Sequence, residues 1–245
     1  MTKNMQWRII PLEMHNAFMN MALDEAISES VAKNQSPPTI RFYKWNPSAV
    51  SIGCFQSMHD EVDVEKCKSE CIGIIRRRTG GGAVYHDTNG EITYSVIAPE
   101  SILPKGITES YREICGWIIE SLNRLGIESE FKPINDIITN GKKISGNAQT
   151  RRNDILLQHG TILYTVDVDK MFSLLKVPNE KIKDKMIASV KERVTSVKNI
   201  KDITEQQLYE ALLAGFTENK EWKLGKITQE ELTKAKELAK ERYET

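Results

Sequence analysis

Cysteine and histidine are scarce in this chain, at four each in 245 residues, and this scarcity narrows the chemistry. The cysteines show neither a pairing pattern nor the close spacing of a zinc site, which favours reduced thiols and argues against a disulfide scaffold. No segment approaches eighteen uninterrupted apolar residues, and Met1–Trp7 carries no apolar leader core, so a soluble, cytoplasmic protein is expected, without membrane contact. Excess charge of either sign is also missing: 34 basic side chains balance 34 acidic ones. A polyanion binder needs a basic surplus, so nucleic acid is not an expected partner. Neither a Gly-Lys-Ser/Thr phosphate loop nor a spaced G-x-G-x-x-G opens any helix.

What is present is concentrated. Arg76-Arg77-Arg78-Thr79-Gly80-Gly81-Gly82-Ala83-Val84-Tyr85-His86-Asp87 joins fixed positive charge to three residues without side chains. Glycine lets backbone N–H groups approach an anion closely, and guanidinium clamps it in a bidentate manner. Ile72, Ile74 and Ile75 before the segment and Ile92, Tyr94, Val96 and Ile97 after it place the glycines at the mouth of a sheet. Three adjacent arginines leave their division of labour open.

Elsewhere the pattern mixes elements. Phe18–Val31 carries a helical apolar stripe, Ile40–Trp45 and Ala49–Ile52 read as strands, and Thr108–Leu125 reads as a long helix with Gly126 at its C′ position. Val64, Cys67 and Cys71 form the buried stripe expected of a short helix near Asp63–Glu70, and Cys115 lies on the apolar face of the long one. Short strands follow at Ile127–Phe131, Asn135–Ile138, Lys143–Ser145 and Ile155–Tyr164, with Asn140-Gly141 as a hairpin turn. From about residue 168 the chain turns helical, and Thr204–Gln207 and Thr228–Glu231 read as capping boxes. Strands and helices without regular βαβ repetition predict an α+β fold with mixed β-sheets flanked by helices, as one domain over residues 1–245.

On a strand, Lys143 and Ser145 share one side and Lys142 and Ile144 the other, so only one lysine can face a site. Asn135-Asp136 is a turn pair that also suits Mg²⁺, a cation that takes one or two carboxylate or amide oxygens.

The arginine–glycine segment resembles the signature of the lipoate–protein ligase A family, within the biotin and lipoate ligase (class II synthetase-like) fold group. Asn20–Ala26, Arg41–Trp45, Val50–Gly53 with Gln56, Asn135–Ile137, Lys142–Gly146 and Gln158–Thr161 are similar to that family's further blocks, in order. Ser189-Val190 and Arg193-Val194 resemble its adenylate-binding loop. The resemblance implies an ATP-dependent ligase that forms lipoyl-AMP from lipoate and ATP with Mg²⁺, then acylates a carrier lysine. Lys143 is then the catalytic lysine. Arg77, Thr79, Gly80, Gly81, Gly82, Asn135, Asp136, Ser189 and Arg193 hold the adenylate, with Asn135 and Asp136 on the metal. Trp45, Arg77, Val84, Tyr85, His86 and His159 line the lipoate pocket. The implied partners are lipoyl-carrier proteins, such as E2 subunits of 2-oxoacid dehydrogenases and the glycine cleavage H protein. A separate small accessory subunit is also implied, because no small C-terminal domain follows the helix near Leu232–Tyr243. Octanoyltransferases of the same fold are the alternative, as is a non-catalytic carrier-binding protein. Such transferases pass the acyl group through a cysteine thioester, and Gly126–Asn140 holds no cysteine, so the ligase is the expectation.

Overall fold

Strand β6 (Glu91–Pro99) shows how the site is made. Its even-numbered residues Ile92, Tyr94, Val96 and Ala98 are fully buried in the main core, while Glu91, Thr93 and Ser95, which project oppositely, are buried as well. A strand whose polar face is also buried must have a second layer over that face. The computed structural model, which describes residues 5–176 and 183–244, supplies two such layers. The first four residues of the expected leader-free N-terminus lie outside the described residues.

Eight strands form the large sheet: β1 (Trp7–His15), β2 (Thr39–Trp45), β6, β7 (Glu130–Lys132), β8 (Asp136–Thr139), β9 (Lys142–Arg152), β10 (Ile155–Leu163) and β11 (Trp222–Leu224). Their order is β11-β1-β2-β6-β10-β9-β8-β7, parallel among β11, β1 and β2 and antiparallel beyond. One face packs on α4 (Ile107–Arg124) and α8 (Glu205–Thr217) through Ile114, Ile118, Leu122, Leu208, Leu212 and Phe216. The other face meets α1 (Ala17–Ala32), itself backed by α9 (Gln229–Leu238) through Ala22, Ala26, Ala235 and Leu238. Beside α1 sits a smaller sheet of β3 (Ala49–Ile52), β4 (Gly73–Arg76) and β5 (Val84–His86), ordered β4-β3-β5. Short helices α2 (Met58–Glu61), α3 (Val64–Ser69) and α5 (Val168–Leu174) pack around it, and α6 (Lys183–Arg193) and α7 (Val197–Ile200) lead into α8. This is the expected α+β architecture with mixed sheets.

Local signals are realised where local chemistry suffices. Both capping boxes form, from Thr204 with Gln207 and from Thr228 with Glu231. Asn140 and Gly141 adopt positive φ, 49° and 74°, as a two-residue hairpin requires, and Gly126 ends α4 at φ 70°.

Four expectations need correction. β9 runs to Arg152, well past Ser145, because Asn147–Arg152, polar apart from Ala148, is fully paired with β10, so pairing rather than hydrophobicity extends the strand. Cys71 lies beyond the end of α3, exposed and at φ 56°; only Cys67 of the pair is buried. The helical C-terminal part contains a strand, β11, exposed at all three residues and held at the sheet edge by backbone pairing with β1. Ser189 and Arg193 lie in helix α6 rather than in a loop.

Candidate functional site

The arginine–glycine segment connects β4 of the small sheet to β5, and the three arginines have separate partners. Arg76 donates to the carbonyls of Gly53 and Gln56, Arg78 pairs with buried Glu25 of α1 at 2.8 Å, and Arg77 turns inward. Arg77 Nη1 donates to the Ser51 carbonyl and Oγ (3.2 and 3.1 Å), and Nη2 donates to the Gly80 and Gly82 carbonyls (both 2.8 Å). All four acceptors are neutral, and no carboxylate faces this guanidinium among the described residues. Burial lowers its pKa to about 10, so it stays charged at neutral pH. A buried cation without a counter-charge favours electron-rich ligand atoms beside it.

The glycines are shaped by this guanidinium. Gly81 sits at φ 100°, and a Cβ there would lie 2.8 Å from Arg77 Nη2. On the opposite side, a Cβ on Gly53 would stand 2.1 Å from the Gly81 carbonyl oxygen, and backbone cannot rotate away as a side chain can. Gly53→Ala is therefore expected to displace the glycine loop and weaken acyl-ligand binding about tenfold or more, measured by titration calorimetry, while a nearby control at an exposed position, Phe55→Ala, keeps most of the affinity.

Between the two sheets lies a cavity of about 340 Å³. Arg77, Gly81 and Gly82, with Val84, Tyr85 and His86 of β5, line one side; Trp45, Asn135, Lys143 and His159 line the others. Gly80, Thr79 and Asp136 are not part of the lining, and neither are Ser189 and exposed Arg193. From α6 and the residue after it, Val190 and Val194 reach the cavity instead. Arg193 is exposed, its Nε donating back to the Ser189 carbonyl at 3.1 Å.

Two histidine relays stand in the wall. His86 Nδ1 lies 2.6 Å from Glu91 Oε1 and Nε2 lies 2.8 Å from Ser51 Oγ, while the ring stacks on Trp45 at 4.0 Å between centroids. His159 Nε2 lies 2.8 Å from Thr79 Oγ1, and Nδ1 faces Asp24 Oδ2 at 3.4 Å. Asp24 also receives Arg41 Nη1 at 3.0 Å and Ser95 Oγ at 2.6 Å. Thr79, expected to bond a ligand, is thus spent on His159. Sequence reasoning missed Asp24, Ser51, Glu91 and Thr93; the available signal was the run of polar residues alternating with apolar ones along β6.

Burial lowers the pKa of His159, so it resists protonation in the fold more than in the unfolded chain. Below pH 6.5 the unfolded state then binds the extra proton, and stability falls as pH drops from there. His159→Gln is expected to flatten the melting-temperature curve between about pH 6.5 and 5, read by scanning calorimetry.

Lys143 lies next to a register shift in the β8–β9 pairing and places Nζ 2.7 Å from Asp136 Oδ1, with both side chains partly open. The contact has ion-pair distance without hydrogen-bond alignment. Asn135 and Asn147 exchange side-chain-to-backbone hydrogen bonds, and Asn147 accepts from the Tyr94 hydroxyl at 2.7 Å. Asn135 thus bonds Asn147, and Asp136 pairs with Lys143. Among the described residues no cluster of three or more His, Cys, Asp or Glu is arranged for a metal, and no helix is long and apolar enough to cross a membrane.

Residues 16–217 match the lipoyl protein ligase A/B catalytic domain. The chain belongs to this family. Within it, an octanoyltransferase LipM of Brevibacillus brevis is 36% identical over 98% of this chain and 97% of its own length. Another octanoyltransferase LipM, from Anoxybacillus flavithermus, is 37% identical over 98% and 96%. Among solved structures, the bipartite lipoate protein ligase of Thermoplasma acidophilum aligns with TM-score 0.90 and 34% identity over 98% of this chain and 94% of that one. A lipoate-protein ligase A bound with ATP aligns at TM-score 0.85 and 32% identity over 98% and 97%.

The lipoyl-ligase fold and family are those the arginine–glycine signature implies. The expected activity is not. Relatives along nearly the whole chain are octanoyltransferases, which overturns the expectation of an ATP-dependent lipoate–protein ligase with ATP and Mg²⁺ as cofactors. That expectation rested on the resemblance of the signature and further blocks to the ligases and on the absence of cysteine from Gly126–Asn140; the octanoyltransferase relatives match along 98% of the chain.

Proposed function

We propose that the chain is an acyltransferase of protein lipoylation, moving an octanoyl or lipoyl-type group from an acyl-carrier thioester to a lysine of a lipoyl-carrier domain. The observation that carries this is the cavity: apolar walls from Val84, Tyr85 and Trp45, with an ammonium, Lys143, on its rim. Burying an eight-carbon chain stabilises binding by about 0.8 kcal/mol per methylene. The octanoyltransferase relatives support the donor, and the archaeal ligase system, described together with its E2 lipoyl domain, supports the acceptor class.

Lys143 is assigned the role of stabilising negative charge on the thioester carbonyl as the amine attacks. Arg77 and the Gly81-Gly82 backbone shape the cavity beside it, with His86 and His159 in the acyl wall. The test gives the protein an octanoyl thioester of an acyl carrier and a lipoyl-carrier domain, and weighs the acceptor by intact-mass spectrometry. Acceptor acylation without ATP supports the reading. Acylation only from free acid plus ATP overturns it.

A further inference from the structure

Lys143 and Gly146 both line the cavity, although residues three apart on a regular strand face opposite sides. The pairing with β8 resolves this. Ser145 stands opposite Ile137 and Lys143 opposite Ile138, so β9 takes two steps where β8 takes one, and Ile144 is the extra residue of a bulge. Ile144 lies in the main core, and fully buried Ser145 stands opposite Ile137 and Ile162 of that same core, so these two consecutive side chains face the same way. The expectation that Lys143 and Ser145 share a side fails for this reason. The bulge turns Lys143 back toward the cavity, onto the side of Gly146.

Gly146 carries no side chain, and the backbone does not require that. Its φ lies outside the left-handed region, so any residue could adopt this conformation. The three atoms nearest to a Cβ at this position all belong to side chains: Lys143 Cε and Nζ, each at 2.8 Å, and Asp136 Oδ1 at 3.8 Å. The end of Lys143 thus occupies the space a Cβ would need, and Asp136 Oδ1, 2.7 Å from Nζ, holds the ammonium there. The backbone of Lys143 cannot yield instead. Its carbonyl accepts the Thr195 N–H at 2.8 Å, and Lys143 pairs with Val194 in a parallel bridge, so the chain leaving α6 pins it. Only the end of the lysine side chain is free to move.

We propose that Gly146 is a positioning residue for the acyl-transfer step, the bare seat that fixes where the Lys143 ammonium stands beside the reacting carbonyl. The inference rests on the acyltransfer reading above and on the role of Lys143 in it. A methyl group at position 146 pushes Cε and Nζ from 2.8 Å out to ordinary contact at 3.4–4 Å. A charge that stabilises a transition state must already stand in place when the oxyanion develops, so this displacement slows the reaction. The fold is untouched, because the conflict is with the far end of a flexible side chain and not with backbone.

The experiment compares Gly146→Ala with the unmodified full chain and repeats the comparison in a Lys143→Ala background, using the octanoyl thioester of an acyl carrier protein and a lipoyl-carrier domain. With Lys143 present, Gly146→Ala is expected to lower kcat roughly ten- to a hundredfold, with donor KM within about threefold and the melting temperature within about 2 °C. Without Lys143, the same change is expected to alter kcat by less than about twofold, because the group it displaces is gone. An equal loss in both backgrounds overturns the inference, since the methyl then acts on the cavity rather than on the lysine. An unchanged kcat, with or without a rise in KM, overturns it as well, and so does a fall in melting temperature beyond that limit. No amide from the unmodified chain overturns the acyltransfer reading itself, a result distinct from all of these.

Discussion

Replacing Lys143 with alanine is expected to slow acceptor acylation about a hundredfold while leaving donor affinity within a few fold and the melting temperature nearly unchanged. Each part of this expectation has a separate physical basis. The rate loss follows from removing a pre-placed charge beside a developing oxyanion, worth about 3 kcal/mol in comparable sites. Donor affinity survives because the acyl tail gains its binding energy from the cavity walls, not from the ammonium. Stability survives because the Lys143–Asp136 pair is partly open to solvent, 39% and 31% exposed, and such pairs contribute little to folding. The measurement is a steady-state split of kcat from KM, with direct donor titration and a thermal melt. An equal loss in donor affinity and rate would reassign Lys143 to binding. Lys143→Arg keeps the charge but spreads it over a planar fork and is expected to recover only part of the rate.

Asp24→Ala is expected to be the most destabilising single change in the site region, costing about 3–5 kcal/mol. Asp24 is 2% exposed and Arg41 is fully buried, so deletion strands a guanidinium in the interior. It also removes the acceptor for Ser95 Oγ and the carboxylate facing His159 Nδ1. At about 2–4 °C per kcal/mol for a chain of this size, the melting temperature should fall by roughly 10 °C. Adding Arg41→Met is expected to restore part of the loss, because the stranded charge disappears with it. If Asp24→Ala melts within about 2 °C of the unmodified protein, the buried ion pair does not organise this region.

The Asp24 pair also sets an acid limit. Burial raises the carboxyl, but the His159 hydrogen bond and Arg41 outweigh that and leave its pKa below 3.8. Its contribution is therefore present above that value and lost as pH falls through the lowered one, well below the range in which His159 acts. The two groups destabilise in the same direction, at different pH.

Wherever a feature depends on a few neighbouring residues, it was legible in the chain. Thr228 and Glu231 cap α9, Asn140-Gly141 turns the β8–β9 hairpin, and the residues around Arg77 name the family, because each needs only local geometry or an unbroken motif. That only one lysine of the Lys142-Lys143 pair can meet a cavity was also readable, since a strand has only two sides; that it is Lys143 came from the family resemblance. What Arg76, Arg77 and Arg78 each do was not readable. Their partners, Gln56, Ser51 and Glu25, come from a turn, a strand and a helix that only folding brings together. Nor was the burial of the polar face of β6: alternation shows that Glu91, Thr93 and Ser95 share a side, and only α1 and the small sheet bury it. The same holds for α6, where Val190 lines the cavity and Arg193 is exposed. The chain by itself determined caps, turns, strand polarity and kinship, which are matters of backbone geometry over a few residues. Which charges are buried and which hydroxyls face which histidines were decided only when distant segments met, because desolvation and pairing depend on what lies across the gap.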